Sequence, residues 1–132
     1  MPLLNVLGLD HMGIRVRDFE TSFKFYQKLG FMNYAIDDDG DYELWTNAGL
    51  RINLIANADT AKLGHNILLD EAVKHPGYTH AAFIIDDLEA AVARVKAAGI
   101  KITEGPKEAP RRTYFFIRDP DGNVLEFNEL KP

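Results

Sequence analysis

Two histidines and one glutamate have the residue types and positions to hold a divalent metal ion. His11 and His80 begin two copies of one sequence pattern, 69 positions apart, and Glu126 lies near the end of the second copy. Two neutral imidazoles and one carboxylate leave coordination positions open, which is typical of catalytic rather than structural metal sites. Asn53 occupies the position in the first copy that matches Glu126. It is a candidate fourth ligand or an outer hydrogen-bonding group.

These residues are related by an internal repeat. The stretch HMGIRVRDFETSFKFYQKLGF, which starts at His11, matches HAAFIIDDLEAAVARVKAAGI, which starts at His80. In each copy a histidine precedes a short alternating strand, an aspartate can cap a helix, and a glycine can end it. Residues 42–54 match residues 115–127 at an offset of 73, which aligns Asn53 with Glu126.

The repeat predicts an α+β fold made of two βαβββ modules in tandem, each a curled mixed sheet with its helix outside. We expect the modules at residues 7–57 and 78–130, joined by a linker and partial lid at 58–77, all within one domain that spans residues 1–132. Alternation within a strand places His11, Gly13 and Arg15 on one face and apolar side chains on the other.

The pattern also predicts the individual elements. Helices follow Asp18 and Asp87, which are the predicted N-caps. The aspartates at 37–41 form a hairpin turn, and the Pro- and Gly-containing stretch 104–112 is a loop. The predicted strands are 7–16, 31–36, 42–46, 50–57, 78–85, 100–103, 114–118 and 124–130.

Composition narrows the classes of function. The 132 residues carry a net charge of −5, which disfavours nucleic acid and acidic membrane partners. The chain has no cysteine, so disulfides and thiolate metal sites are excluded. The first residues lack a basic segment followed by a long apolar run, so we expect a cytoplasmic protein. His65 and His75 are expected to be exposed to solvent.

Over essentially its whole length the chain resembles the vicinal oxygen chelate superfamily. The resemblance is carried by the two repeat segments quoted above and by FFIRDPDGNVLEF. It implies paired βαβββ modules and a divalent metal ion (Ni, Zn, Mn, Co or Fe) in the cleft between them, bound by His11, His80 and Glu126. It also implies a small-molecule substrate and a homodimer, in which the site can be shared between chains.

The peripheral residues resemble those of glyoxalase I most closely. Arg15, Asn57 and Phe116 stand where glyoxalase I has an arginine that holds a glutathione carboxylate, an asparagine and a phenylalanine. Arg112 is a further candidate for contacts with an anionic substrate. Asn53 departs from the pattern, because glyoxalase I has a glutamate ligand at that position.

The other members of the superfamily fit less well. Ring-cleaving dioxygenases and fosfomycin-type transferases have a tyrosine at the position of Phe116. Fosfomycin-type transferases also have a hydroxyl residue where Gly13 stands. Bleomycin-binding members lack the three ligands. An Fe(II) extradiol-type dioxygenase and a fosfomycin- or bleomycin-type resistance or small-molecule-binding protein remain the alternatives.

The mechanism that these residues support is proton transfer. A metal ion can stabilise the enediolate that forms when a C–H bond beside a carbonyl is deprotonated. Glu126 is the candidate base, and Arg15 can bind a substrate carboxylate. The sequence therefore predicts a metal-dependent lyase or isomerase that acts on a small oxygenated substrate, including a glutathione or other thiol conjugate.

Overall fold

The computed structural model describes residues 1–62 and 65–132, apart from the side chain of Lys62. The chain divides into two compact units, Met1–Thr60 and Ala61–Pro132. In the residues described, each unit contains one α-helix and one four-stranded mixed sheet. The predicted α+β fold of two βαβββ modules is confirmed. The boundary between the units places residues 61–77, most of the predicted linker, with the second unit.

The first unit consists of β1 Met12–Arg15, α1 Phe19–Lys28, β2 Asn33–Ile36, β3 Tyr42–Trp45 and β4 Arg51–Ile55. Its strand order is β1-β4-β3-β2, in which β1 runs parallel to β4 and the other neighbours are antiparallel. A short 3₁₀ turn, Thr60–Lys62, crosses the unit boundary.

The second unit consists of β5 Ala81–Ile84, α2 Leu88–Ala97, β6 Ile102–Ala109, β7 Arg112–Arg118 and β8 Val124–Leu130. Its strand order is β5-β8-β7-β6, with β5 parallel to β8. Among the described residues, no helix is long and apolar enough to cross a membrane.

The two helices begin and end in the same way. Asp18 caps α1 by accepting a hydrogen bond from the Thr21 backbone N–H at 2.9 Å, and Asp87 caps α2 through the Ala90 N–H at 3.0 Å. Each helix ends at a glycine with positive φ, 116° at Gly30 and 76° at Gly99. Backbone bonds from the glycine and its successor close both ends as Schellman motifs. The predicted caps are confirmed.

The strand registers repeat as well. Gly13 pairs with Asn53 across β1 and β4, and Ala82 pairs with Glu126 across β5 and β8. The sequence offset of 69 relates Gly13 to Ala82, and the offset of 73 relates Asn53 to Glu126. A shift of one residue in either sheet would move its polar set to the opposite face, so the matching registers preserve the side on which site residues lie.

Each sheet has a buried apolar face. In the first unit the alternating residues Ile14, Leu44, Ile52 and Leu54 are buried, as is Tyr26 of α1. In the second unit the core also includes Phe83, Leu88, Phe115, Ile117, Leu125 and Phe127. Burying such side chains contributes about 1.5–3 kcal/mol each, which sets the orientation of both sheets and therefore of their polar residues.

Several predicted boundaries are wrong. The predicted loop 104–112 is largely strand, because β6 continues to Ala109 and β7 begins at Arg112. The register between these strands shifts around Gly105 and Pro106, where proline lacks a ladder donor and a bulge absorbs the irregularity. The first strand starts at Met12 rather than Leu7. β4 ends at Ile55 rather than Asn57, whose φ of 67° is incompatible with an extended strand.

Candidate functional site

His80 and Glu126 meet on one face of the second sheet. His80 immediately precedes β5, and Glu126 lies in β8 beside Ala82. His80 Nε2 lies 3.0 Å from Glu126 Oε1. Glu126 is only 5 % exposed, so this carboxylate is held away from bulk water. The repeat pattern thus brought together two of the three predicted ligands.

Alternate residues of β7 surround this pair. The ring centroids of Phe116 and His80 are 5.3 Å apart, and Phe116 is buried. Arg112 Nε lies 3.4 Å from Glu126 Oε2, and its guanidinium carbon lies 4.8 Å from the centre of the Tyr114 ring. One oxygen of Glu126 therefore faces an imidazole and the other faces a guanidinium.

A second set of contacts lies on the Nδ1 side of the His80 ring. Thr79 Oγ1 lies 2.9 Å from His80 Nδ1, the ring nitrogen that does not face Glu126. The carbonyl oxygen of Thr79 accepts a hydrogen bond from the side-chain amide of Asn66. Asn66 in turn accepts backbone bonds from Leu68 and Leu69 at 2.9 and 3.2 Å, which fixes its orientation.

The same segment is tied to the end of β7 by an ion pair. Arg118 donates to both oxygens of Asp70, at 2.6 and 2.8 Å. This hydrogen bonding lowers the pKa of the Asp70 carboxyl, and the bond from the Asn66 backbone N–H acts in the same direction. A bidentate ion pair of this kind restricts the orientation of both side chains. Because Asp70 also accepts a hydrogen bond from the Asn66 backbone N–H, the ion pair holds Asn66 close to Thr79.

The first unit contains the other two candidate ligands. His11 precedes β1, and its Nδ1 lies 2.6 Å from Asp10 Oδ2, an interaction that lowers the pKa of Asp10. Asn53 lies in β4 beside Gly13, and its Oδ1 is buried without a hydrogen-bond partner among the described residues. An unsatisfied buried carbonyl oxygen is costly, so Asn53 is suited to meet a ligand or cation.

Arg15 and Asn57, the predicted substrate-binding residues, lie close together at the end of β1 and β4. Arg15 Nη1 donates to the Ala56 carbonyl oxygen at 2.7 Å, directly before Asn57. Asn57 adopts a left-handed backbone conformation with φ of 67°, which asparagine tolerates better than most residues. Both side chains are exposed.

The geometry of His80 and Glu126 fits a shared metal ion. Two donor atoms about 2.1 Å from one divalent cation and at a right angle to each other are about 3.0 Å apart. The observed separation between Nε2 and Oε1 is 3.0 Å. Among the residues that the structure describes, no group of three or more His, Asp or Glu side chains is placed to hold a metal ion.

Two residues of the candidate site, Tyr114 and Thr79, were not predicted from the sequence. Tyr114 could have been found, because it alternates with Arg112 and Phe116 along β7. Thr79 was missed because a threonine before a strand has many ordinary roles, and only the side-chain contact reveals this one. His65 and His75 are exposed, as predicted. His65 Nδ1 lies 3.5 Å from Glu71 Oε1.

Comparison with known proteins places the chain in a family. Residues 8–127 match the model of the Glyoxalase/Bleomycin resistance protein/Dioxygenase superfamily. Two modules with matching registers are consistent with this assignment, and the chain belongs to that superfamily. The predicted vicinal oxygen chelate relationship is confirmed.

Individual relatives cover nearly the whole chain. It is 32 % identical to the lactoylglutathione lyase of Haemophilus influenzae over 124 residues, which are 92 % of this chain and 91 % of that protein. A solved structure from the mobile metagenome of V. pseudocholerae is 30 % identical, with a TM-score of 0.70, and the match covers 98 % of this chain and 99 % of that one.

The fold also occurs in an antibiotic-resistance protein. The fosfomycin resistance protein FosX of Listeria monocytogenes has a TM-score of 0.69 at 20 % identity, over 96 % of this chain and 94 % of its own. At that level of identity the likeness shows a shared fold alone.

Proposed function

We propose that this protein is a divalent-metal-dependent lyase or isomerase of the glyoxalase I type. Its substrate is a small oxygenated compound, with a glutathione or other thiol conjugate as the first candidate. The observation that supports this most strongly is the 3.0 Å contact between His80 Nε2 and the buried Glu126 carboxylate. The lactoylglutathione lyase name of a relative 32 % identical over most of the chain points to the same chemistry.

The metal would be held by His80 and Glu126 of the second unit together with His11 of the first. Asn53 is the fourth candidate, through its unsatisfied Oδ1. When bound, a divalent cation supplies positive charge that stabilises negative charge developing on a substrate oxygen. The donor set contains no thiolate, which suits Zn, Ni, Co, Mn or Fe rather than softer metals.

Glu126 is the residue that moves the proton. Its Oε1 faces His80 and its Oε2 faces Arg112, so the charge on the carboxylate is balanced from two sides. A carboxylate in a largely dry site can accept a proton from a substrate C–H bond and return it to the neighbouring carbon. Phe116 contributes an apolar ring beside His80, with 5.3 Å between the ring centroids.

Arg15 and Asn57 would bind the carboxylate end of the substrate. The guanidinium of Arg15 is a fixed cation at the exposed edge of the first sheet, and one of its N–H groups is anchored to the Ala56 carbonyl. Arg112 would contribute a second anion contact close to Glu126. These roles predict weaker substrate binding on substitution, with a smaller effect on the proton-transfer step.

We further propose that the protein is a homodimer in which His11 of one chain completes the site of the other. A mixture of the His11→Ala and Glu126→Gln variants tests the sharing. If sites are shared, a mixed dimer has one site with all ligands, and equal mixing restores about a quarter of wild-type activity. No recovery after subunit exchange, with mixed dimers shown to form, would mean that each site belongs to a single chain.

The experiment that tests the function is a metal-dependent assay with glutathione and a 2-oxoaldehyde. Formation of the lactoylglutathione thioester should require added Zn, Ni, Co, Mn or Fe and should disappear with a chelator. Oxygen uptake with a catechol and no thioester would support the dioxygenase alternative instead. Tight binding of fosfomycin or bleomycin without turnover would favour a resistance or small-molecule-binding protein. A cytoplasmic location remains a prediction.

A further inference from the structure

The residue before each candidate histidine hydrogen-bonds the Nδ1 of that histidine. Asp10 Oδ2 lies 2.6 Å from His11 Nδ1, and Thr79 Oγ1 lies 2.9 Å from His80 Nδ1. Residues 10 and 79 are equivalent under the same offset of 69 that relates the histidines. Both halves of the protein therefore place a hydrogen-bonding side chain behind the imidazole and leave Nε2 directed elsewhere.

The chemistry of Asp10 determines which nitrogen of His11 carries the proton. A carboxylate only accepts hydrogen bonds, so Nδ1 of His11 must donate. In the neutral imidazole the lone pair then resides on Nε2, which is the form that coordinates a metal ion. Because Asp10 is 88 % exposed and His11 is 43 % exposed, water competes with this contact. The Asp10 contact therefore orients the His11 ring less strongly than a buried hydrogen-bond partner would.

Thr79 acts differently because a hydroxyl both donates and accepts. Nε2 of His80 lies 3.0 Å from the Glu126 carboxylate, so a neutral imidazole with its hydrogen on Nε2 donates to Glu126 and accepts at Nδ1 from Thr79. A cation at Nε2 requires the other tautomer, in which the Nε2 proton passes to solvent and a proton from solvent binds Nδ1. The imidazole stays neutral, and the same hydroxyl then accepts from Nδ1–H.

We propose that Thr79 is a positioning residue that satisfies His80 Nδ1 in both tautomers and so keeps Nε2 directed at the metal. This inference rests on the proposed metal-dependent function. Asn66 supports Thr79, because its amide donates to the Thr79 carbonyl and its own orientation is fixed by backbone bonds from 68 and 69. Outer hydrogen bonds of this kind typically contribute 10–100-fold to metal affinity.

The test compares Thr79→Val, which keeps the shape and removes the hydroxyl, with Thr79→Ser, which keeps the hydroxyl. Thr113→Val is the matched control, since Thr113 lies in β7 of the same unit and on the opposite face from Tyr114. Zinc dissociation constants are measured by competition with a chromophoric chelator on the full chain. Nitrogen-resolved NMR of the His80 ring reports its tautomer without and with zinc.

We expect Thr79→Val to weaken zinc binding about 10–100-fold, with Thr79→Ser and Thr113→Val close to wild type. The wild-type His80 should carry its proton on Nε2 without zinc and on Nδ1 with zinc. Equal zinc affinity of Thr79→Val and wild type would overturn the proposal. If Thr79→Val does not fold, Thr79→Ala replaces it in the same comparison.

A separate outcome concerns the proposed function alone. If the wild-type protein takes up no zinc, nickel or cobalt, the metal-dependent function fails. The metal-free NMR comparison then decides the role of Thr79. A change in the tautomer of His80 in Thr79→Val supports positioning, and an unchanged ring excludes it.

Discussion

Asn53 and Glu126 occupy the same position in two sheets of the same register. Asn53 lies beside Gly13 across a parallel strand pair, and Glu126 lies beside Ala82 in the same way. Both positions have a small cross-strand neighbour, and a Cβ added at Gly13 would lie 3.3 Å from Ile55 Cδ1. The two halves therefore differ at this point in charge rather than in geometry, since one provides an amide and the other a carboxylate.

The first prediction concerns that difference. Asn53→Glu adds a second carboxylate, so zinc affinity should rise about tenfold or more, because the added negative charge attracts the cation. Without metal the variant should be less stable, since a charge replaces a buried amide. Asn53→Gln is the control of similar size, and it should not raise the affinity. Unchanged affinity in Asn53→Glu would mean that Asn53 lies outside the metal site.

The second prediction concerns Glu126. Glu126→Gln retains the size and one acceptor oxygen but removes the charge and the proton-accepting group. We expect thioester formation to fall about 10²–10⁴-fold, while the free energy of unfolding without metal changes by about 1 kcal/mol. Glu129→Gln, in the same strand, is the control in kinetic assays. Full activity of Glu126→Gln would exclude Glu126 as the base.

The third prediction is a pH dependence of stability through Asp70. Because Arg118 lowers the pKa of the folded Asp70 carboxyl below its ordinary 3.8, the pair stabilises the folded state above that pH. The contribution disappears as the pH falls through the lowered pKa. Asp70→Asn should cost about 1 kcal/mol at neutral pH.

Urea unfolding of wild type and Asp70→Asn at a series of pH values measures this effect. The difference between the two proteins should shrink as the pH falls below 3.8, because both then carry a neutral group at position 70. A difference that stays constant down to the most acidic sample would contradict the assignment.

The fourth prediction tests the helix ends that the repeat predicted. Gly99 has φ of 76°, and a Cβ at this position would meet nothing within 4 Å, so its substitution isolates backbone strain. Gly99→Ala should destabilise the protein by about 1–2 kcal/mol. Gly8→Ala also meets no neighbour but lies in an exposed segment without a positive φ, and its thermal midpoint should match wild type. Equal midpoints for both variants would argue against the left-handed cap.

Most of the fold could be predicted because the internal repeat supports assignments of helices and strands that a single local pattern would leave ambiguous. Asp18 and Asp87 at matching positions identified both helix starts, and the two offsets aligned residues that the structure places at equivalent positions of the two sheets. The extension of β6 through Gly105 and Pro106 could not be predicted, because both residues normally interrupt strands. The bulged pairing with β7 overrides that local preference.

Of the candidate site, the structure brings together two of the predicted residues. Strand alternation and the repeat assigned His80 and Glu126 to equivalent inward positions, and the parallel pairing of β5 with β8 brings them to 3.0 Å. The contacts of Thr79 with His80 and of Asp70 with Arg118 depend on the path of residues 65–79. No periodic pattern in the sequence encodes that path, so these contacts were found only in the structure.

The central claim is that His11, His80 and Glu126 bind one divalent metal ion. Elemental analysis of the purified full chain after loading with zinc tests it most directly, on wild type, His11→Ala, His80→Ala, Glu126→Gln and the control His75→Ala. We predict about one zinc per chain in wild type and in His75→Ala, and near-complete loss in the other three. Equal zinc content in all five proteins, or none in wild type, would contradict the claim.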